Sequence, residues 1–166
     1  MKRIAFLGMA VAMAFSFSSC KKKSSEQFAG IDGDYVSGTP LSDRVDGANF
    51  FGSNVQRGQF SPVYFGFDSY EVSGAESAKL QQVASAVRDS GKTLIIAGFT
   101  DERGTAEYNR GLGERRALAV REALIALGLN SAKVQTVSFG SEMPADPSSN
   151  ESAWAMNRRA EFGLVQ

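Results

Sequence analysis

Two charged side chains, Asp101 and Arg116, are the residues of this 166-residue chain whose positions best suit binding chemistry. Arg116 falls on the apolar stripe of the longest helix that the sequence predicts, residues 106–127, between Leu112 and Val120 at spacings of four. A guanidinium on that stripe is expected to be buried, and a buried unpaired charge is very costly. A carboxylate, from the protein or from a ligand, is therefore expected to meet Arg116.

Asp101 ends the predicted strand that leads into this helix. A carboxylate and a guanidinium beside the crevice at a strand end suit a zwitterion, because Asp101 can meet an ammonium while Arg116 holds a carboxylate through two parallel hydrogen bonds. The residues alone leave an alternative open, in which Arg116 pairs with Asp101, Glu102 or Glu114 and both charges are structural.

The composition excludes several classes of protein. The chain has no histidine and one cysteine, Cys20, so serine–histidine catalysis, cysteine–histidine catalysis and the usual zinc sites are not expected. We expect no cofactor and no enzymatic activity. Lysine and arginine number 18, as do aspartate and glutamate, so no basic surplus indicates nucleic acid as a partner.

The N-terminus predicts export and lipidation. Met1-Lys2-Arg3 is basic, and residues 4–17 form an uncharged run too short to cross a bilayer, as in a signal peptide. Ser18-Ser19-Cys20 follows and resembles the lipobox of bacterial lipoproteins. Residues 1–19 are thus predicted to be a signal peptide and Cys20 to carry the lipid. The alternative is an uncleaved signal that anchors the chain in the inner membrane.

The rest of the chain divides at about residue 58. Residues 20–58 are assigned to the lipidated cysteine and a flexible tether that follows it. The tether is predicted because this stretch mixes glycine with Ser, Asp and Asn without persistent periodicity. Residues 59–166 alternate strand and helix signals in the order β-α-β-α-β-(α)-β. This order predicts one α/β domain, an α+β sandwich with helices packed on a mixed four-stranded sheet. Trp154, in the short third helix, is interpreted as a core residue over the sheet rather than as a surface for a ligand.

Several motifs then resemble a known family. They are the run Gly98-Phe99-Thr100-Asp101-Glu102-Arg103-Gly104-Thr105, the pair Tyr108-Asn109, the run Leu112-Gly113-Glu114-Arg115-Arg116-Ala117, the run Phe65-Gly66-Phe67-Asp68-Ser69 and the run Asn157-Arg158-Arg159-Ala160-Glu161-Phe162. In this order they resemble the signature of OmpA-like peptidoglycan-binding domains, and most closely that of the peptidoglycan-associated lipoproteins. The resemblance spans residues 62–163. One departure is Phe99, where those lipoproteins commonly have a histidine.

The resemblance implies an OmpA-like fold that captures the stem peptide of peptidoglycan without a covalent bond. Asp101 and Arg116 match the two residues that bind the free end of meso-diaminopimelate in that family. The resemblance also assigns five supporting positions to the site: Phe67, Asp68, Thr100, Leu112 and Asn157. Three of them have structural alternatives, with Asp68 as a turn or cap residue, Phe67 as a core residue and Asn157 as the donor or acceptor of a helix-end hydrogen bond.

The implied role is that of an outer-membrane lipoprotein that tethers the membrane to the cell wall. Lys21, in place of the aspartate that retains lipoproteins in the inner membrane, favours delivery to the outer membrane. The implied role places the protein on the periplasmic side, although Lys21 does not determine the leaflet. The resemblance also implies a TolB-like periplasmic partner and a Tol-Pal-like role in envelope integrity and division. The alternatives are a wall-binding lipoprotein of a secretion or motility machine, and a periplasmic wall hydrolase that uses Asp68 and Asp101.

Overall fold

A computed structural model describes residues 49–166 of the chain. The signal peptide, Cys20 and most of the predicted tether lie outside the described residues, so those assignments stay predictions. None of the helices between residues 49 and 166 has the length and apolar character needed to cross a membrane.

Strands and helices alternate along the domain. The five strands are β1 (Val55–Arg57), β2 (Val63–Tyr64), β3 (Leu94–Phe99), β4 (Val134–Gly140) and β5 (Arg159–Val165). The three α-helices are α1 (Ser77–Ser90), α2 (Ala106–Ala126) and α3 (Glu151–Asn157), and short 3-10 turns at Gly74–Glu76 and Ser131–Lys133 precede α1 and β4. The helices and the last three strands follow the predicted alternation, and α2 ends one residue before the predicted end at residue 127.

The strands form a single mixed sheet in the order β1-β5-β3-β4, with β2 also paired to β5. Strands β3 and β4 are parallel, and β5 is antiparallel to β3, β1 and β2. The α/β class, the mixed sheet and the element order are therefore confirmed. The sheet has five strands rather than the predicted four, because the sequence did not predict β1.

Strand β1 also corrects the predicted boundary of the folded domain. Residues 55–57 were assigned to the tether, yet they pair with β5. Phe50 and Val55 are buried against Phe99 and its neighbours on the sheet face opposite the helices. The sheet needs this cover because β3 is buried along its whole length, so both of its faces must lie away from water.

The main core lies between the sheet and helices α1 and α2. Side chains that alternate along β3, such as Leu94 and Ile96, meet Leu80 and Val83 of α1 and the apolar stripe of α2. The intervening residues of β3 face the other side. The near-continuous apolar run of β3 thus reflects a strand with two buried faces.

Helix α2 lies unusually close to β3, and two glycines permit this. A Cβ atom on Gly98 would lie 1.9 Å from the carbonyl oxygen of Gly113, and one on Gly113 would lie 2.9 Å from the carbonyl oxygen of Gly98. The helix begins after Thr105, whose hydroxyl accepts a hydrogen bond from the main-chain N–H of Tyr108 at 3.2 Å. This backbone-to-backbone packing sets the position of the next turn of α2, which carries Arg116.

Candidate functional site

Arg116 is fully buried, as the helical pattern predicts, but its partners are not carboxylates. Its Nε donates to the main-chain carbonyl of Ser69 at 2.8 Å, Nη1 to that of Phe99 at 2.8 Å and Nη2 to that of Gly66 at 3.2 Å. No carboxylate between residues 49 and 166 forms an ion pair with it. The alternative in which Arg116 pairs with Asp101, Glu102 or Glu114 is therefore not found among the described residues, and the carbonyls explain how the cation is tolerated.

Three carbonyl bonds leave part of the Arg116 guanidinium unused. A guanidinium has five N–H donors, and the three bonds occupy one on each nitrogen. One N–H on Nη1 and one on Nη2 remain. Burial lowers the pKa of Arg116 to about 10, an effect that the negative charge of Asp101 partly offsets, so the side chain is still a cation at neutral pH. Arg116 can thus offer two donors and a full charge to an anion.

Asp101 is buried and held by two other arginines. Its Oδ1 accepts hydrogen bonds from the main-chain N–H and the Nε of Arg103, each at 3.2 Å, and its Oδ2 accepts from Nη2 of Arg103 at 2.7 Å. Nη1 of Arg158 lies 3.5 Å from Oδ2. Burial raises the pKa of Asp101, but the hydrogen bonds and charge of Arg103 outweigh it and hold the pKa below its ordinary value.

The stability that Asp101 contributes is expected to fall in acid. Because the folded-state pKa is depressed, this contribution is fully present above the pKa of an unfolded aspartate, about 3.9, and is lost as the pH falls through the folded-state pKa. At neutral pH, Asp101→Asn is expected to lower the free energy of unfolding by about 1–3 kcal/mol. Urea titrations of both proteins at neutral pH and at about pH 3 check this. A difference that does not shrink in acid would contradict the ionised role of Asp101.

The two charges border one pocket of about 180 Å³ at the end of β3. Its lining residues come from the loop after β2, the loop after β3 and the first half of α2. They are Phe67, Asp68, Thr100, Asp101, Arg103, Gly104, Tyr108, Asn109, Leu112 and Arg116. Six of the seven binding positions assigned from the sequence are therefore brought together around this pocket.

Asn157 is the seventh, and it does not line the pocket. Its Oδ1 accepts hydrogen bonds from the main-chain N–H groups of Ala145 and Asp146 at 2.7 and 3.0 Å, and its Nδ2 donates to the carbonyl of Asp146 at 2.7 Å. These bonds use the amide oxygen twice and one of the two N–H groups of Nδ2. Asn157 holds the loop before α3 in place, which agrees with its structural alternative.

Phe67 and Asp68, in the loop after β2, line the solvent side of the pocket. The ring of Phe67 is 62% exposed, which excludes its alternative as a core residue. Asp68 has a left-handed backbone with φ of 51°, and its carboxylate accepts a hydrogen bond from the hydroxyl of Tyr108. This bond raises the pKa of Tyr108. Asp68 therefore has a turn conformation and also joins the β2 loop to helix α2 beside the pocket.

Two buried polar atoms of the lining have no partner within the described domain. Thr100 and Asn109 are each 2% exposed, and neither the Thr100 Oγ1 nor the Asn109 Nδ2 makes a hydrogen bond. Buried polar groups are nearly always hydrogen-bonded, so these two atoms are suited to ligand contacts. Sequence reasoning did not select Asn109, although it lies seven residues before Arg116 on the same helix stripe. A second polar residue on that stripe was the available signal.

Arg103, Tyr108 and Gly104 are the other lining residues that sequence reasoning did not select. The guanidinium of Arg103 lies between two aromatic rings, 4.1 Å from the ring centre of Phe67 and 4.2 Å from that of Trp154. The indole Nε1 of Trp154 donates to Glu102 at 3.1 Å. The interpretation of Trp154 as a core residue over the sheet is therefore wrong, because its ring stacks on an arginine beside the pocket.

Phe99, which stands where related lipoproteins commonly have histidine, is not part of the pocket lining. Its side chain points to the opposite sheet face, where it stacks on Phe139 at 5.5 Å and lies beneath the guanidinium of Arg159 at 4.0 Å. Only its carbonyl contacts the site, through Arg116. The Phe99 side chain therefore contributes to the packing beneath Phe50 and not to the lining of the pocket.

The fold and the matched residues define a domain of the OmpA family, whose model matches residues 64–158. A peptidoglycan-associated lipoprotein of Pseudomonas aeruginosa is 35% identical over 96% of this chain and 95% of its own length. Another, from Pasteurella multocida, is 41% identical over 74% of this chain and 84% of its own length. The chain therefore belongs to the peptidoglycan-associated lipoproteins of the OmpA family.

Solved structures agree with this assignment. The crystal structure of the peptidoglycan-associated lipoprotein from Burkholderia pseudomallei has a TM-score of 0.59 and 48% identity, and the match covers 63% of this chain and 87% of that one. The C-terminal domain of Helicobacter pylori MotB has a TM-score of 0.60 at 22% identity, over 64% of this chain and 85% of its own. The second likeness concerns the fold alone.

Proposed function

We propose that the protein binds peptidoglycan non-covalently through the free end of diaminopimelate in the stem peptide. The observation that carries the proposal is Arg116, a buried cation with no carboxylate partner among the described residues and with two N–H donors still available beside a pocket. That free end carries an ammonium and a carboxylate. The carboxylate would bind Arg116 and the ammonium would bind Asp101.

The remaining lining residues suit the rest of such a ligand. Thr100 and Asn109 offer the unpartnered Oγ1 and Nδ2 atoms, which a zwitterion can satisfy. Phe67, Tyr108 and Leu112 give the pocket apolar surface for the methylene chain between the two ends of diaminopimelate. A pocket of about 180 Å³ accommodates one end of the amino acid, not a saccharide chain.

We further propose that the protein is lipid-anchored at Cys20 in the outer membrane and tethers that membrane to the wall. Membership of the peptidoglycan-associated lipoproteins supports this, as does the lipobox-like sequence before Cys20. A few charge-assisted bonds give modest affinity at one site, but many anchored copies facing a continuous polymer bind it firmly together. A TolB-like periplasmic partner and a role in division belong to the same proposal.

The alternatives draw less support from the pocket. A wall hydrolase needs a general acid whose pKa is raised, whereas the pKa of Asp101 is lowered. A motility role draws only on the likeness to MotB, which at 22% identity concerns the fold alone. The relative that aligns over 96% of this chain is a peptidoglycan-associated lipoprotein, which favours the wall tether.

Thr100→Val is expected to weaken wall binding without weakening the fold. The Oγ1 of Thr100 has no protein partner, so replacing it by a methyl group should leave the free energy of unfolding unchanged or raise it by about 1 kcal/mol. If that hydroxyl bonds the ligand, the dissociation constant should rise roughly threefold to tenfold. Co-sedimentation of the full-length protein in mild detergent with purified sacculi measures this.

Thr93→Val is the matched control. Thr93 is also buried, but it lies just before the start of β3, whereas the pocket is at the end of that strand. The dissociation constant of Thr93→Val for sacculi should match that of the wild type. Equal binding by Thr100→Val and wild type would show that the pocket is not the wall site. Failure of the wild type to pellet with sacculi would overturn the proposed function itself.

A further inference from the structure

We propose that Arg103 is an internal counter-ion that occupies Asp101 in the free pocket and moves to Glu151 when a ligand ammonium binds. Arg103 thereby sets how strongly the pocket favours ligands that carry an ammonium. This inference rests on the proposed function, because it concerns the same pocket and the same zwitterionic ligand.

Asp101 is saturated with donors in the free pocket. A carboxylate has about four acceptor positions, and four N–H groups already approach Asp101, three from Arg103 and one from Arg158. An incoming ammonium therefore finds no open position on either oxygen. One of the present donors must leave before the ammonium can bind.

Arg103 is the donor that can leave. The side chain of Arg158 is only 9% exposed, and its Nε and Nη2 are held by the carbonyl of Phe65 at 3.1 Å and by Glu151 at 2.8 Å. The side chain of Arg103 is 31% exposed and makes its side-chain hydrogen bonds only to Asp101. Since Arg158 is fixed on three sides, displacement falls on Arg103.

A second position for the Arg103 guanidinium is already built. Its Nη1 lies 3.7 Å from the Oε2 of Glu151, and the rings of Phe67 and Trp154 lie on its two faces. A shift of about an ångström within this aromatic sandwich would bring Nη1 to hydrogen-bond distance of Glu151. Glu151 is held in place by its bond to Arg158. Arg103 can thus exchange one carboxylate for another and keep its aromatic contacts.

This exchange predicts opposite responses from two small probes. Binding of meso-diaminopimelate requires the Arg103–Asp101 pair to break. Arg103→Met removes that pair, so the dissociation constant for meso-diaminopimelate should fall about threefold to fivefold. Pimelate has the same carbon chain without ammonium groups and does not displace Arg103. Arg103→Met should leave its affinity unchanged or weaken it, because Asp101 then repels the carboxylate with less compensation.

The test is a titration of the full-length protein, in mild detergent, with each probe. Binding is monitored through changes in NMR chemical shifts. Glu151→Gln should weaken binding of meso-diaminopimelate about twofold to threefold in the wild type. Its effect should be smaller in the Arg103→Met background, where only its bond to Arg158 is lost. Arg110→Met and Glu142→Gln are the matched controls, because that exposed ion pair does not line the pocket. Both controls should bind the two probes as the wild type does.

The outcomes separate the two proposals. If the wild type binds meso-diaminopimelate and the Thr100→Val variant binds it more weakly, the proposed function stands. In that case, weaker or unchanged binding by Arg103→Met, or an equal effect of Glu151→Gln with and without Arg103, overturns the counter-ion role alone. If the wild type does not bind meso-diaminopimelate, both proposals fall.

Discussion

Replacing Arg116 by lysine is expected to lower the free energy of unfolding by about 3–5 kcal/mol although the charge is kept. The guanidinium bonds three carbonyls of two segments, those of Gly66 and Ser69 in the loop after β2 and that of Phe99 at the end of β3. A lysine ammonium has a single nitrogen at a different reach and cannot meet all three. At least one buried carbonyl would then lack a partner, and the charge would be less well solvated.

Urea unfolding followed by circular dichroism measures this loss, and Arg115→Lys is its matched control on the same helix. Arg115 is exposed and lies 5.9 and 5.7 Å from the rings of Tyr70 and Tyr108, so its replacement should change stability by less than about 0.5 kcal/mol. Equal stability of Arg116→Lys and Arg115→Lys would show that the carbonyls do not depend on the guanidinium.

This result bears on how the binding site is tested. Arg116 supports the loops around the pocket, and in the proposed function it also binds the ligand, so loss of wall binding in an Arg116 variant would have two possible causes. Marginal domains have total stabilities of about 5–15 kcal/mol, and removing Arg116 takes a large share of that. Thr100 is therefore the better test residue, because its hydroxyl has no structural bond to lose.

The second large effect is expected at Gly113, where alanine should destabilise the domain by at least about 3 kcal/mol. A Cβ there would lie 2.4 Å from the Oγ of Ser138 and 2.9 Å from the carbonyl oxygen of Gly98. The second neighbour is backbone of the central strand and cannot rotate away. Helix α2 would have to move off β3, which would also displace Arg116.

Gly111 on the same helix provides the matched control with the opposite sign. A Cβ atom added to Gly111 would lie 3.9 Å from its nearest neighbour, Nη1 of Arg115, which is an ordinary van der Waals contact. Gly111→Ala is expected to raise the free energy of unfolding by about 0.5–1 kcal/mol through helix propensity alone. Thermal and urea unfolding of the two variants check the pair. A stabilised Gly113→Ala would contradict the close approach of α2 to β3.

Together these effects show how the pocket obtains an available cation. Main-chain carbonyls solvate the Arg116 guanidinium without neutralising it, while the carboxylate of Asp101 is occupied by Arg103 and Arg158. The charge of Arg116 is thus not neutralised by a carboxylate of the described residues, as the proposed binding of a ligand carboxylate requires. A direct Arg116–Asp101 pair would have removed this available cation.

Much of the fold was readable from local pattern. Helix α2, the two-sided burial of β3 and the bounds of β5 follow from periodicity and from signals at element ends, which depend on residues close together in the chain. Strand β1 was not readable in this way, because its three residues are short and follow a glycine-rich stretch. They form a strand only because β5 offers an edge and Phe50 covers the sheet.

The sequence by itself determined that Arg116 is buried and that Asp101 lies just beyond the end of the neighbouring strand, since both follow from helix and strand periods. It also determined the family, through motifs that keep their order along the chain. Only the tertiary structure decided the partners of these charges. The carbonyls that bind Arg116 lie 17, 47 and 50 residues away in the chain, and Asp101 meets Arg158 across 57 residues. Such contacts depend on how distant segments pack, and no local pattern of residues encodes them.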